Sequence, residues 1–357
     1  MNKKVLITTG GTGGHIYPAL AVAEELRDKG IPVLFVGSDS RMEKDIVPRE
    51  GFPFVGLRIR PPRNLRNILI FITALAKGFW LVLKEKPDAV IGFGNYISVP
   101  CVLAGLLLRK KVYLQEQNAT IGGANKFFYH FCDKTFLAFG KTYDAIPYKY
   151  QKKMIIAGNP LRREIYAVNP AEEKEKLKIE TEEKVLVVTG GSLGARAINE
   201  GVLRNWEEIF ENKKLRLYWA TGEDNYEEIS EKLTRVKISD TIKPYFNNMI
   251  HIMSAADLVV CRAGALTISE IIELEKPSII IPYSSKKVGQ SDNAEILQDN
   301  ESALVFHNHE TEKAIGTALE IIHDSERLIA MRAKIKNLKG ENAARKIVEN
   351  LDIWRNA

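Results

Sequence analysis

Cysteine is scarce in this sequence: Cys101, Cys132 and Cys261 are the only three in 357 residues. They show no metal-ligand spacing and are too few for a disulfide framework, so they read as small buried side chains in a reducing compartment. No stretch is low in complexity. No G-x-x-x-x-G-K-[ST] loop occurs, which excludes that class of nucleoside-triphosphate enzyme. No D-x-D pair stands at a strand end, so an obligatory metal is not expected. Acidic residues are absent from 58 to 84, although the whole chain carries only +6. An apolar run begins at Val5, so no signal peptide is expected.

What is present is an ordinary globular composition, 45% hydrophobic and 27% charged, in a chain long enough for two cores. Short apolar runs alternate with amphipathic helical ones. In the first half, strands are predicted over 5–9, 33–36, 89–92, 112–115, 135–138 and 154–157, with helices over 18–29 and 68–84. In the second half, strands are predicted over 185–189, 215–220, 258–260, 278–281 and 303–306, with helices over 195–205, 266–273 and 292–299. This alternation predicts α/β domains, each a parallel sheet with helices on both faces. The expected domains are 1–160 and 161–340, with a last helix over 341–357 that packs back on the first. Ile347, Leu351 and Trp354 are its apolar residues.

A glycine-rich turn occurs twice. Thr9-Gly10-Gly11-Thr12-Gly13-Gly14-His15 follows the first apolar run, and Thr189-Gly190-Gly191-Ser192-Leu193-Gly194 follows a run in the second half. Glycines let backbone approach a ligand, and a helix start behind them favours anions, so phosphorylated ligands are expected. A dinucleotide fingerprint would need a third glycine where Ile16 stands; Asp39 leaves NAD open on spacing alone. Further on, Cys261-Arg262-Ala263-Gly264-Ala265-Leu266-Thr267-Ile268-Ser269-Glu270 follows a strand. Gly264 reads as permitting a tight turn, and residues 265–267 as a helix start suited to a diphosphate. Glu270 reads as a carboxylate for two ribose hydroxyls, and Gln290 as a contact for sugar hydroxyls.

Together with Glu116-Gln117-Asn118, Gly158-Asn159-Pro160-Leu161-Arg162 and Gln290-x-x-Asn293-Ala294, these segments resemble the MurG-type N-acetylglucosaminyltransferases of bacterial peptidoglycan synthesis. The resemblance spans nearly the whole chain. It implies the GT-B fold, two facing Rossmann-like domains with parallel sheets and an inter-domain cleft. It implies inverting transfer of GlcNAc from UDP-GlcNAc to the C4 hydroxyl of the MurNAc-peptide of lipid I, forming lipid II. The partners implied are the anionic surface of the inner membrane, met peripherally from the cytoplasm, and neither nucleic acid nor a cofactor. Residue by residue, it assigns donor contacts to Thr12, Gly13, Gly14, Asn118, Arg162 and Ser192. It assigns the nucleotide grip to Ala265, Leu266, Thr267, Ile268, Ser269 and Glu270, and a sugar contact to Gln290. Phe246 falls where the family usually has an aliphatic residue whose backbone reads the uracil edge. Asn95-Tyr96 stands where the family more often shows Gly-Tyr.

His15 is the candidate base, since imidazole titrates near neutrality; its other role would be to bind the loop or the acceptor phosphate. Glu116 is a second candidate. Arg58, Arg60, Arg63 and Arg66 precede an apolar run over 68–83 that Lys77 and Gly78 interrupt. That run reads as too short to span a bilayer, and as a dock on anionic lipid through Arg63, Arg66, Ile68, Phe71, Phe79 and Trp80. Two other readings stay open at this point: a sugar-nucleotide epimerase of the same fold, and a non-catalytic UDP-sugar-binding regulator.

Overall fold

A computed structural model describes residues 3–191, 194–233, 240–283 and 289–354. The chain forms two compact units, residues 1–162 with 340–357 and residues 163–339.

Among the described residues, the first unit holds seven parallel strands: β1 (Val5–Thr8), β2 (Val33–Ser38), β3 (Phe54–Leu57), β4 (Ala89–Gly92), β5 (Lys111–Glu116), β6 (Lys134–Leu137) and β7 (Met154–Ile156). They lie in the order β3-β2-β1-β4-β5-β6-β7. Val5 pairs with Val33 on one side and Ala89 on the other. The strand order therefore reverses at β1, and the loops after β1 and β4 open at the switch point where such sheets bind ligands. Val5, Leu6 and Ile7 are all fully buried, because helices cover both faces of a parallel sheet. The helices that matter here are α1 (Gly13–Asp28), α2 (Glu43–Arg49), α3 (Leu65–Glu85), α4 (Asn95–Leu107) and α5 (Gly123–Phe128). On one face α1 shares a core with the helix Ala343–Glu349 through Ile16, Ala19, Val22, Ile347 and Val348. On the other, α3 and α4 pack through Ala74, Leu81, Ile97 and Cys101 on Leu6, Val36 and Val90.

The second unit repeats the plan with β8 (Lys184–Thr189), β9 (Leu215–Ala220), β10 (Ile242–Lys243), β11 (Leu258–Cys261), β12 (Ser278–Ile280) and β13 (Ala303–Val305). Their order is β10-β9-β8-β11-β12-β13, so the second glycine turn follows β8 at another reversal. The three cysteines are buried and reduced; burial pushes the Cys101 and Cys132 thiols up to about 12, so neither is a thiolate.

The structure departs from the sequence reading in several places, beginning with α2, α4 and α5, which that reading did not contain. Strands β3, a half-buried stretch with Gly56 inside it, and the two-residue β10 were also not predicted. Helix α1 starts at Gly13, not at 18, and Pro18 sits inside it at the cost of one i→i−4 bond. His15 is thus in the first turn of a helix, not at the end of a loop. The last helix ends at Glu349; Leu351 is buried beyond it, and the Trp354 indole donates to the Val348 carbonyl at 2.8 Å. Finally, α3 has 21 residues and is apolar enough, by length and composition, to cross a membrane. One side of it is nonetheless core: Ala74, Gly78, Leu81 and Val82 are buried.

Candidate functional site

The first glycine loop is built by its neighbours. Gly10 (φ 151°) and Gly11 (φ 93°) take backbone conformations that favour glycine. A Cβ on Gly10 would lie 2.0 Å from Glu43 Oε1. Glu43 is fully buried in α2 and accepts from the Gly11 amide (3.0 Å) and the Ser38 amide (2.8 Å). A buried carboxylate therefore braces the loop; nothing in the charged text around it marks that role. Asn95 holds the other side. Its φ is 50°, a left-handed position where glycine is usual and asparagine is tolerated. Its Nδ2 donates to the Gly10 carbonyl, and its Oδ1 accepts from the Ile97 amide at 2.7 Å. Asparagine at this position thus adds a clamp on the glycine loop.

Thr12, Gly13 and Gly14 open α1, whose first turn has no acidic residue and no side-chain cap. Such a helix start favours an anion. One residue on, His15 Nδ1 lies 2.9 Å from Gln117 Oε1. Burial pushes the His15 imidazole below its ordinary 6.5, against raising contributions from Glu116, the Gln117 bond, the Phe93 carbonyl and Glu43. Glu116 is buried at the end of β5 and accepts from the Asn118 amide (3.1 Å), Asn118 Nδ2 (3.1 Å), the Gly122 amide (2.8 Å) and Asn125 Nδ2 (2.9 Å). With four N–H donors on one carboxylate, Glu116 braces the loop after β5. Asn118 is held there, its carbonyl accepting from Thr142 Oγ1 at 3.0 Å. The Arg162 guanidinium stands 5.2 Å from the centre of the Tyr17 ring.

In the second unit a cavity of about 710 Å³ opens at the β8/β11 switch, lined among others by Gly191, Gly194, Arg262, Gly264, Thr267 and Gln290. Ser192 lies outside the described residues. The helix Ala265–Leu274 points its N-terminus here, capped by Gly264, which has no side chain to neutralise the first-turn amides. Gly264 has φ −63° and ψ 138°, an extended backbone that other residues also adopt. What it supplies is space. A Cβ there would meet nothing closer than Thr267 Oγ1 at 3.4 Å. Gly194 is the opposite case: φ is +74°, and a Cβ would strike the Thr221 carbonyl oxygen at 2.3 Å. Gly194→Ala is therefore expected to destabilise the protein by ~2 kcal/mol or more. Gly264→Ala should stay within ~1 kcal/mol of the parent in denaturant titrations. Equal loss of stability in both would contradict this division.

Glu270 is half-buried on the same helix, whereas Ile268 is fully buried and the Ser269 hydroxyl donates to the Ala265 carbonyl at 3.0 Å. Ile268 thus faces inward, and its amide donates to the Gly264 carbonyl at 2.9 Å. Gln290 starts the helix Gln290–Gln298; its Oε1 accepts from the Tyr283 amide at 2.9 Å, which leaves the side-chain N–H₂ as donor. The Phe246 ring is buried against Tyr218 at 6.1 Å and lies outside the cavity lining. The residue that sequence reasoning missed is Arg262. It is 8% exposed, lines the cavity and donates to the Ile281 (3.0 Å) and Pro282 (3.3 Å) carbonyls. Burial pushes its guanidinium below the ordinary arginine value. A desolvated cation held by carbonyl oxygens is well placed to gain from an incoming anion. Among the described residues, no group of three or more His, Cys, Asp or Glu could hold a metal ion.

The apolar face of α3 is exposed at Leu65, Ile68, Leu69, Ile72, Phe79, Trp80 and Leu83. Phe71 is not part of it; it packs against the core under α3 and α4. Gly78 lets the helices touch, since a Cβ there would lie 2.7 Å from Pro100 Cβ. Arg58, Arg60, Arg63 and Arg66 are all exposed.

Comparison with known proteins fits both halves. The glycosyltransferase family 28 N-terminal domain matches residues 5–137, and the family's C-terminal domain matches residues 185–351. The chain is 56% identical, over 99% of each chain, to a Fusobacterium nucleatum subsp. nucleatum protein named UDP-N-acetylglucosamine--N-acetylmuramyl-(pentapeptide) pyrophosphoryl-undecaprenol N-acetylglucosamine transferase. A Halothermothrix orenii protein of the same name is 37% identical over 98% of each chain. Among solved structures, Acinetobacter baumannii MurG superposes with a TM-score of 0.77 at 25% identity, covering 98% of this chain and 99% of that one. A UDP-GlcNAc 2-epimerase from Neisseria meningitidis bound to UDP-GlcNAc superposes at 0.68 with 18% identity, covering 97% and 98%, which shows a shared fold alone.

Proposed function

This chain belongs to glycosyltransferase family 28, and on that premise we propose that it transfers GlcNAc from UDP-GlcNAc to the C4 hydroxyl of the MurNAc-peptide of lipid I, forming lipid II with inversion. The observation that carries the reading is identity of 56% along 99% of the chain to a transferase of that name. The chain is expected to sustain growth of a bacterium depleted of its own lipid II-forming transferase. No rescue by well-expressed protein would contradict the reading.

The reaction is a single in-line displacement. The acceptor oxygen bonds to the anomeric carbon as the bond from that carbon to the UDP oxygen breaks. His15 takes the hydroxyl proton, and the charge that develops on the diphosphate is met by amide dipoles and cations. Glu270 holds the ribose, the start of the helix Ala265–Leu274 and Arg262 hold the diphosphate, and Gln290 holds sugar hydroxyls. Arg162, Asn118, Ser192 and the Thr12–Gly14 helix start are further donor contacts, and the backbone at Phe246 meets the uracil. Helix dipoles and arginines then serve where other enzymes use a divalent ion. Activity is expected to persist in a chelator; loss on chelation with recovery in magnesium would contradict this.

The acceptor is a membrane lipid, and α3 is the proposed dock. Exposed apolar side chains beside four exposed arginines suit an anionic surface, at about 1 kcal/mol per charge. Charge reversal at Arg63 and Arg66 should leave the fold intact. It is expected to abolish binding to vesicles with anionic lipid and activity on long-chain acceptors, while activity on a short soluble analogue stays. Equal loss on both acceptors would place the arginines in the active site or the fold; equal retention would mean that α3 is not the dock.

A further inference from the structure

The unit that carries His15 also carries a row of buried side-chain amides ending on its ring. Gln115 is fully buried, and Gln117 and Asn159 nearly so. Asn159 Nδ2 donates to the Gln117 main-chain carbonyl at 3.0 Å, and its Oδ1 accepts from Gln115 Nε2 at 3.1 Å. Gln115 Nε2 also donates to the Glu116 carbonyl at 3.2 Å. Gln115 Oε1 accepts from Gln117 Nε2, which donates in turn to the Phe93 carbonyl at 3.0 Å. Gln117 Oε1 then faces His15 Nδ1 at 2.9 Å. Each amide nitrogen is anchored on a main-chain carbonyl, and carbonyls only accept. Flipping any one amide would set oxygen against oxygen. An amide oxygen also only accepts, so its bond to His15 requires the proton on Nδ1.

We propose that Asn159, Gln115 and Gln117 are positioning residues: a one-way chain of amide hydrogen bonds that fixes His15 as its Nδ1–H tautomer and presents the Nε2 lone pair as the proton acceptor. A carboxylate in Gln117's place would orient the ring but also favour its charged form. Amides orient it without adding charge, which suits a buried ring that must stay neutral to act as a base. The proposal rests on His15 being the base, yet the tautomer belongs to the resting protein and is read without turnover.

The direct test is nitrogen-15 NMR of the protein labelled at histidine, with His15 assigned by the signals lost in His15→Gln. The neutral ring is expected to be protonated at Nδ1 and bare at Nε2. An Nε2–H ring, or an even mixture of tautomers, would overturn the proposal. Gln117→Leu removes the last acceptor and should mix the tautomers and lower kcat by ~10-fold or more, with KM for UDP-GlcNAc unchanged; an unchanged tautomer and kcat would overturn it. Gln117→Glu should keep the Nδ1–H tautomer and move the acid limb of kcat/KM to higher pH, a shift a purely structural role would not produce. Should either variant fail to fold, the spectrum of the parent protein decides. A fully active His15→Gln beside an Nδ1–H ring in the parent would sink the base assignment alone and leave the amide chain standing.

Discussion

His15→Gln is expected to lower kcat by ~100-fold or more, with UDP affinity close to that of the parent. The argument is local. The residue lies in the first turn of α1, beside the Gly10–Gly11 loop, and its ring is oriented by Gln117 at 2.9 Å. The rival carboxylate, Glu116, is taken up by four N–H donors. Burial holds the His15 ring below its ordinary 6.5, so its neutral form survives further acidification than that of an exposed histidine. The acid limb of kcat/KM should therefore fall below pH 6.5 and disappear in the variant. The sign for stability follows. The unfolded chain binds this proton near ~6.5 and the folded chain only at lower pH, so acidification through that value favours unfolding. A variant turning over within a few-fold of the parent would remove His15 from the chemistry.

Glu270→Ala is expected to raise the Kd for UDP by ~100-fold. Two ribose hydroxyls donating to one carboxylate are worth ~1.5 kcal/mol each at the low end, and ~1.4 kcal/mol is a factor of ten. Glu270 is half-buried on the helix Ala265–Leu274, so its loss leaves no cavity of core size. Glu270→Gln, which keeps one acceptor oxygen, should fall between. Calorimetry that finds UDP affinity within threefold of the parent, roughly 0.7 kcal/mol, would dismiss the ribose assignment.

Much of this protein is legible in its sequence. Parallel strands buried on both faces are continuous apolar runs, so β1, β4, β8 and β11 stood out. Glycine turns after β1 and β8 stood out because backbone geometry there admits little else, as the φ of +74° at Gly194 shows. What escaped was set by contacts across the sequence. Strand β10 has only two residues, and β3 is half-buried and interrupted by Gly56, so neither forms a continuous apolar run. Glu43 is a loop brace only because α2 folds it under Gly10, and Arg262 is a buried cation only because β12 ends beside it. Gly264 is a different case from Gly194. Its backbone is ordinary, and its value lies in the space it leaves at a helix start. Phe71 belonged to an apolar run whose inward side no single sequence could assign.

The most direct test of the account is product analysis with GlcNAc-labelled UDP-GlcNAc and a soluble lipid I analogue. The account predicts that the label moves to the acceptor as a β-linked GlcNAc on the C4 hydroxyl of MurNAc, with one UDP released per transfer. Release of UDP-ManNAc with the acceptor unchanged would mean an epimerase of the same fold, and binding of UDP-GlcNAc with no turnover would mean a sugar-nucleotide-binding protein; either result would contradict it.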